Sequence, residues 1–114
     1  MPITRIEPSD VNCRSVEYNG VVYLSGVVAG DKTASMKGQT EQVLARIDQV
    51  LANAGTDKTR VLAAVVYLAD MDLKDDMNEA WIAWADPGNL PVRAAVGTAL
   101  TPDTLVEIMV TAAK

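Results

Sequence analysis

Two charged side chains interrupt apolar stretches in the C-terminal part of the sequence: Arg93 in "LPVRAAVGTAL" and Glu107 in "LVEIMV". The planar guanidinium of an arginine can donate paired hydrogen bonds to a carboxylate or phosphate, and a glutamate in an otherwise apolar strand is a second unusual charge. If the first stretch forms a strand, Arg93 shares a face with residues whose side chains are too short to fill the space beside it. They are Ala95, Gly97 and Ala99. This pattern is typical of a concave anion site.

Both charges also have structural interpretations. Arg93 could pair with an acidic residue or extend to solvent, and Glu107 could be an exposed carboxylate on an edge strand. A hairpin folded symmetrically about Pro102 would place both side chains on one face, about 13 Å apart along the strands and too far for a direct ion pair. Each could then line a cleft shared between neighbouring subunits, although a register shifted by one residue would reverse the face of Glu107.

The composition excludes several classes of protein. The sequence contains no histidine and a single cysteine, Cys13, which excludes the common zinc sites, Ser-His and Cys-His catalytic pairs and an internal disulfide. We therefore expect no metal and no cofactor. The net charge of −5, without a basic block, disfavours nucleic acid and anionic membranes as partners and favours a small molecule.

Length and hydropathy indicate one domain in the cytoplasm. No stretch approaches the length of a membrane-spanning helix, and the first residues, "MPITRIEPSD", contain neither an apolar signal core nor a cleavage site. A chain of 114 residues can bury roughly two-thirds of its unfolded surface. We therefore expect a single domain over residues 1–114 with one core.

Strand and turn signals dominate the N-terminal part of the chain. Asn19-Gly20 separates two β-rich runs and favours a two-residue hairpin turn between strands at about 14–18 and 21–27. A further strand at 3–6 would extend the same sheet.

Helical and strand periodicities alternate in the rest of the chain. Apolar residues at helical spacing predict a helix over 36–54, which Gly55 follows. The apolar run "RVLAAVVYLA" has the length of a buried central strand, although its alanines and leucines also fit a helix. A second helical stripe contains Trp81 and Trp84, interpreted as core or interface anchors, and ends at 86–88.

Two last strands, at about 92–98 and 105–113, complete the order β-β-α-β-α-β-β. Helices separated by one central strand and flanked by hairpins predict an α+β fold, with a mixed sheet and both helices on one face. The last strand is apolar on both sides, so the face of the sheet without helices must be buried against another subunit. We therefore predict a closed homo-oligomer.

Five segments, in this order and spacing, resemble the RidA/YjgF family of reactive enamine/imine intermediate deaminases, and in particular its short YoaB-like branch. They are "NGVVYLSGVVA", "TEQVLARIDQVLANAGTDKTRVLAAVVYLADM", "MNEAWIAW", "LPVRAAV" and "VEIMVTAA". The resemblance covers residues 18–113. It implies a chorismate-mutase-like α+β subunit, assembled as a homotrimer with ligand clefts at the subunit interfaces.

The resemblance also assigns roles to individual residues. It implies that Arg93 binds the substrate carboxylate and that Glu107 orients the attacking water. Ser25 and Gly26 correspond to a Ser-Gly pair that lines the pocket at the end of a strand. Asn78 corresponds to a cleft asparagine on the second helix.

The chain departs from the family pattern at three places. The backbone of Ala94 and Ala95 corresponds to the family's Arg-x-Cys segment, in which Ala95 replaces a frequent cysteine. Val27 replaces a frequent glutamine, and the N-terminal Gly-Pro-Tyr element is absent. The missing tyrosine bears on the range of substrates, whereas the lost cysteine matters less where only its backbone carbonyl contacts the ligand.

The implied chemistry needs neither histidine nor metal. A 2-imino acid is already electrophilic, so the protein need only bind its carboxylate at Arg93, place water with Glu107 and backbone carbonyls, and release ammonia to give the 2-oxo acid. Two other functions remain open. One is a non-catalytic sensor or chaperone-like module that binds small carboxylates in the same cleft; the other is an endoribonuclease, which the acidic charge and the lack of histidine disfavour.

Overall fold

Seven strands in one mixed sheet and two α-helices make up the structure, a computed structural model that describes residues 2–114. The strands are β1 (Thr4–Pro8), β2 (Cys13–Tyr18), β3 (Val21–Leu24), β4 (Val27–Val28), β5 (Val61–Leu68), β6 (Val92–Gly97) and β7 (Val106–Ala113). The helices are α1 (Met36–Asn53) and α2 (Lys74–Trp84), with short 3₁₀ turns at Lys58–Arg60 and Met71–Leu73. The strand order is β1-β2-β3-β7-β5-β6, and β4 pairs with β7 after β3 ends.

The predicted N-terminal hairpin is confirmed. Asn19 and Gly20 both have positive φ, 55° and 77°, as the two central residues of a type I′ turn require. The turn joins β2 to β3, and β1 pairs with the other edge of β2.

The second strand of this hairpin is interrupted at Ser25-Gly26, so its predicted extent is wrong. Before the break Tyr23 lies opposite Thr111 on β7, and after it Val27 lies opposite Ile108. Three residues on the interrupted strand therefore face two on β7, which is a β-bulge. The bulge bends the chain where the predicted site residues lie.

α1 begins and ends where the sequence predicts. The Ser35 hydroxyl caps its N-terminus by accepting a hydrogen bond from the backbone N–H of Gly38 at 3.1 Å. At its C-terminal end Gly55 has a φ of 85°, and the N–H of Thr56 donates to the carbonyl of Leu51 at 2.9 Å. The apolar face of α1 is almost fully buried; it includes Val43, Leu44, Ile47 and Leu51.

The parallel pairing of β5 with β6 corrects the predicted topology. The sequence predicts β6 and β7 as a hairpin, but β5 lies between them, parallel to β6 and antiparallel to β7. Parallel neighbours need a long crossover, which residues 69–91 and their helix α2 supply. β6 therefore lies at the edge of the sheet.

This topology places Arg93 and Glu107 on opposite faces of the sheet, so the predicted register is wrong. Arg93 aligns with Ala64 and through it with Val110, and both of these residues are buried beneath the helices. Glu107 aligns with Tyr67, whose side chain points to the other face.

The face of the sheet that carries Glu107 is not covered by the helices. Its exposed apolar side chains are between 41% and 73% accessible; they are Tyr18, Tyr23, Val92, Val96 and Met109. The core lies between the opposite face and the two helices. The α+β fold, with a mixed sheet and both helices on one face, is therefore confirmed.

Candidate functional site

Arg93 lies under α2 instead of beside an open concavity. Its guanidinium carbon is 5.0 Å from the centroid of the Trp81 indole, and its Nη1 is 3.9 Å from the sulfur of Met77. A Cβ on Gly97, further along the same face, would lie 2.7 Å from Cγ of Met71. Met71 therefore fills the space that the small residues of β6 were predicted to leave open, and Ala99 lies beyond the end of β6.

Arg93 has no carboxylate partner among the residues that the structure describes. Within residues 2–114 two ion pairs form, Lys37 with Glu79 and Lys114 with Glu17. Burial lowers the pKa of the Arg93 guanidinium from its ordinary value, because the charged form loses hydration. An arginine nevertheless stays protonated at neutral pH. The half-buried charge is therefore available to an external anion, and the structural ion pair considered from the sequence is not formed within these residues.

Glu107 and Gly26 are in contact. A Cβ on Gly26 would collide with Oε2 of Glu107, so the glutamate side chain lies against the backbone where a larger residue would have its side chain. The β-bulge positions Gly26 at this point, because β4 pairs with β7 directly after it, with Val28 opposite Glu107. A strand break that sequence patterning missed thus sets the position of the predicted catalytic carboxylate.

Ser25 directly precedes Gly26 in the bulge. Its backbone N–H and its hydroxyl both donate to the carbonyl of Arg14, at 3.0 and 3.3 Å. The hydroxyl oxygen can still accept a hydrogen bond. Ser25, Gly26 and Glu107 therefore form one group, which we call the glutamate group.

The other predicted residues adjoin, along the chain, either Arg93 or its neighbour Met77. Asn78 is half-buried on α2 and directly follows Met77. Ala95 shares the face of Arg93 and packs against the core, whereas Ala94 is exposed on the opposite face. We call Arg93, Asn78 and Ala95 the arginine group.

A single chain does not join the two groups. They lie on opposite faces of the sheet, and three surface concavities, of about 320, 220 and 200 Å³, are lined by other residues. The largest of these lies at the start of β5, between Arg60, Leu62 and Leu90. The two groups could act on one ligand only if different copies of the chain contribute them.

Sequence patterning placed Trp81 in the core but missed its contact with Arg93. Met77 and Trp81 are four residues apart on α2, so they lie on one side of the helix. Their helical spacing was visible in the sequence, but the pairing of β6 with β5 that brings Arg93 to them was not.

Two further properties bear on what the described residues can bind. Within residues 2–114, no cluster of three or more His, Cys, Asp or Glu side chains is arranged to hold a metal ion. None of the helices there has the length and apolar character needed to span a bilayer.

Comparison with known proteins gives one consistent class. The family model described as Endoribonuclease L-PSP matches residues 3–114. A RutC family protein of Haemophilus ducreyi is 45% identical over 112 residues, covering 97% of this chain and 96% of that protein. The RutC family protein YoaB of Escherichia coli is 38% identical over 114 residues, covering 99% of each.

A solved structure agrees with these sequence matches. The crystal structure of NMB1025 from Neisseria meningitidis, described as a member of the YjgF protein family, superposes with a TM-score of 0.97 and 41% identity, covering 100% of this chain and 96% of that one. The chain therefore belongs to the RidA/YjgF family, of which the RutC and YoaB proteins are relatives. This confirms the family indicated by the five sequence segments.

Proposed function

We propose that this chain hydrolyses reactive 2-imino and 2-enamine acids to 2-oxo acids and ammonia, in clefts between the subunits of a cytoplasmic homotrimer. The observation that carries the proposal is the half-buried guanidinium of Arg93, which has no carboxylate partner within the described residues. Burying a charge without a partner is costly, so such a group is expected to bind an anion from outside the chain.

Assembly supplies the missing half of the site. Glu107 lies on the apolar face that the helices leave uncovered, and Arg93 lies on the edge strand β6. A second copy packed on the apolar face would cover its exposed side chains and bring an edge strand towards Glu107. The family resemblance implies that the assembly is a trimer, and its three equivalent interfaces would each combine one arginine group with one glutamate group.

The two groups divide the reaction between them. Arg93 donates two parallel hydrogen bonds to the substrate carboxylate, which holds the imine carbon beside Glu107. Glu107 takes a proton from water as the water oxygen bonds to that carbon, and the nitrogen takes up a proton from solvent as the C–N π bond opens, which gives a carbinolamine. The protonated Glu107 then gives its proton to the amine nitrogen, the C–N bond breaks to release ammonia, and the hydroxyl proton returns to solvent as the carbonyl of the 2-oxo acid forms. The hydroxyl of Ser25, the amide of Asn78 and the backbone of Ala94 and Ala95 line the cleft.

A non-catalytic sensor would use the same residues. Arg93 would still bind a small carboxylate, but Glu107 would have no water to activate. An endoribonuclease, which the family description names, is the third function, and the net charge of −5 and the lack of histidine disfavour it.

An assay in which imines are generated in situ distinguishes the three proposed functions. An amino-acid oxidase with catalase produces a panel of 2-imino acids, and the rate at which each imine disappears is measured with and without the protein. We expect clear acceleration over spontaneous hydrolysis for at least one imine. Tight binding of 2-oxo acids without acceleration would establish the sensor, and RNA cleavage without either would establish the nuclease.

A further inference from the structure

Two tryptophans on α2 connect Arg93 to the rest of the fold. The Trp81 indole faces the Arg93 guanidinium, and its ring centroid is 5.3 Å from that of Trp84, with the planes tilted by 56°. The ammonium of Lys58 lies 5.6 Å from the centroid of the Trp84 ring. The order of contacts from β6 to the 3₁₀ turn before β5 is therefore a cation, two aromatic rings and a second cation.

Trp84 is held by hydrogen bonds from two directions. Its indole N–H donates to Asp48 on α1 at 2.9 Å, and Lys58 donates to its backbone carbonyl at 2.7 Å. Trp81 is only 7% exposed, so packing against Trp84 and the core leaves its ring little freedom. The indole face that Arg93 meets is therefore fixed before any ligand arrives.

An aromatic ring and a carboxylate hold an arginine side chain in different ways. The face of an indole attracts the cation, whereas the N–H donors lie in the guanidinium plane and stay free. The other neighbour, the sulfur of Met77 at 3.9 Å, is a weak acceptor. A carboxylate in the same place would neutralise Arg93 and occupy the donors that a substrate needs.

We propose that Trp81 is a positioning residue that orients the Arg93 guanidinium for the substrate carboxylate. This inference rests on the proposed function, because it requires Arg93 to bind a carboxylate. Ordering a mobile, rotamer-rich side chain on binding costs roughly twofold to tenfold in affinity, and the indole face removes this cost by holding the guanidinium in place beforehand. Loss of the indole face should therefore weaken binding by about that factor.

The variants Trp81→Leu and Trp81→Phe test this role. For each we would measure the affinity for 2-oxobutanoate by calorimetry, and kcat and KM for the matching imine. We expect Trp81→Leu to lose affinity and to raise KM more than it lowers kcat. Trp81→Phe keeps an aromatic face and should recover most of the affinity. A purely structural tryptophan would lower the melting temperature in both variants and leave the affinity of the folded protein unchanged.

The Trp84→Phe variant is the matched control and a second readout. It leaves Trp81 as the only tryptophan, does not touch Arg93, and should bind almost as the wild type does. Its fluorescence should change saturably with 2-oxobutanoate, which tests the contact even if Trp81→Leu fails to fold. Unchanged fluorescence, or full affinity in folded Trp81→Leu, would overturn the positioning role while the proposed function stands. A wild type that neither binds nor turns over any of these compounds would overturn both.

Discussion

Arg93 and Glu107 could be selected from the sequence because each is a lone charge in an apolar strand. Their surroundings could not be predicted in the same way. The indole under Arg93 and the glycine against Glu107 are reached through long-range pairing, of β6 with β5 and of β4 with β7. Side-chain type thus identified the candidate chemistry, whereas tertiary structure determined the contacts of each group.

Replacing Arg93 by lysine should weaken the binding of 2-oxo acids about tenfold or more, even though the charge is kept. An ammonium cannot make the paired, planar hydrogen bonds of a guanidinium, and a hydrogen bond to a charged group contributes about 1.5–3 kcal/mol. Titration calorimetry with pyruvate or 2-oxobutanoate measures the change. Arg5→Lys, at an exposed arginine on β1, is the control and should bind normally. Equal affinity in Arg93→Lys and wild type would show that Arg93 is structural.

Replacing Glu107 by glutamine should separate catalysis from binding. Glutamine keeps the size of the side chain but cannot take a proton from water, and general-base assistance is worth about a hundredfold to ten-thousandfold in rate. We therefore expect imine hydrolysis to fall by that factor, with 2-oxo acid affinity nearly unchanged. Glu41→Gln, at an exposed glutamate on α1, should leave both values as in wild type. A fully active Glu107→Gln protein would mean that backbone groups alone position the water.

The β-bulge at Ser25-Gly26 is the structural element that positions the side chain of Glu107. Strand patterning predicted one continuous strand over 21–27, because Val27 continues after the break the β-rich composition of the residues before it. Local periodicity did locate both helices, the two ends of α1 and the central strand β5. Pairing between distant strands is set by the crossover and the register, which is why the β6–β7 hairpin was predicted wrongly.

A methyl group at position 26 should disable the glutamate group without unfolding the protein. In Gly26→Ala the new Cβ collides with Oε2 of Glu107, and the carboxylate must move away. Gly30→Ala is the matched control, since its Cβ would lie 3.8 Å from the nearest side-chain atom, on Arg46. We expect Gly26→Ala to lose most imine hydrolysis and Gly30→Ala to keep it, with circular dichroism showing both folded. Normal turnover by Gly26→Ala would show that Glu107 need not lie against this backbone.

The whole molecule presents one face of its sheet without helices, and this face is both apolar and adjacent to the glutamate group. The alternation of β7 predicted such a face from the sequence, since neither side of that strand is polar throughout. What the sequence of one chain could not specify is which residues of a second copy meet it.

A charge placed on this face should dissociate the assembly. Met109 lies on the inner strand β7 of this face and is 44% exposed. Met109→Glu would therefore bury an unpaired carboxylate in the proposed interface, which is strongly unfavourable. Ile82→Glu is the control, because Ile82 is 73% exposed on α2, on the helical side of the sheet. Sedimentation equilibrium should give a trimer for wild type and Ile82→Glu and a smaller species for Met109→Glu. A monomeric wild type at micromolar concentration would contradict the proposed assembly.

Subunit mixing tests directly whether one cleft is built from two chains. Arg93→Ala and Glu107→Gln should each be nearly inactive alone. When they are unfolded and refolded together in equal amounts, random assortment around a closed ring gives about one interface in four with both intact side chains. We predict that the mixture recovers about a quarter of the wild-type rate of imine hydrolysis. A mixture that forms mixed trimers by mass spectrometry but stays as inactive as its parents would place Arg93 and Glu107 in the site of one chain, contrary to the proposed mechanism.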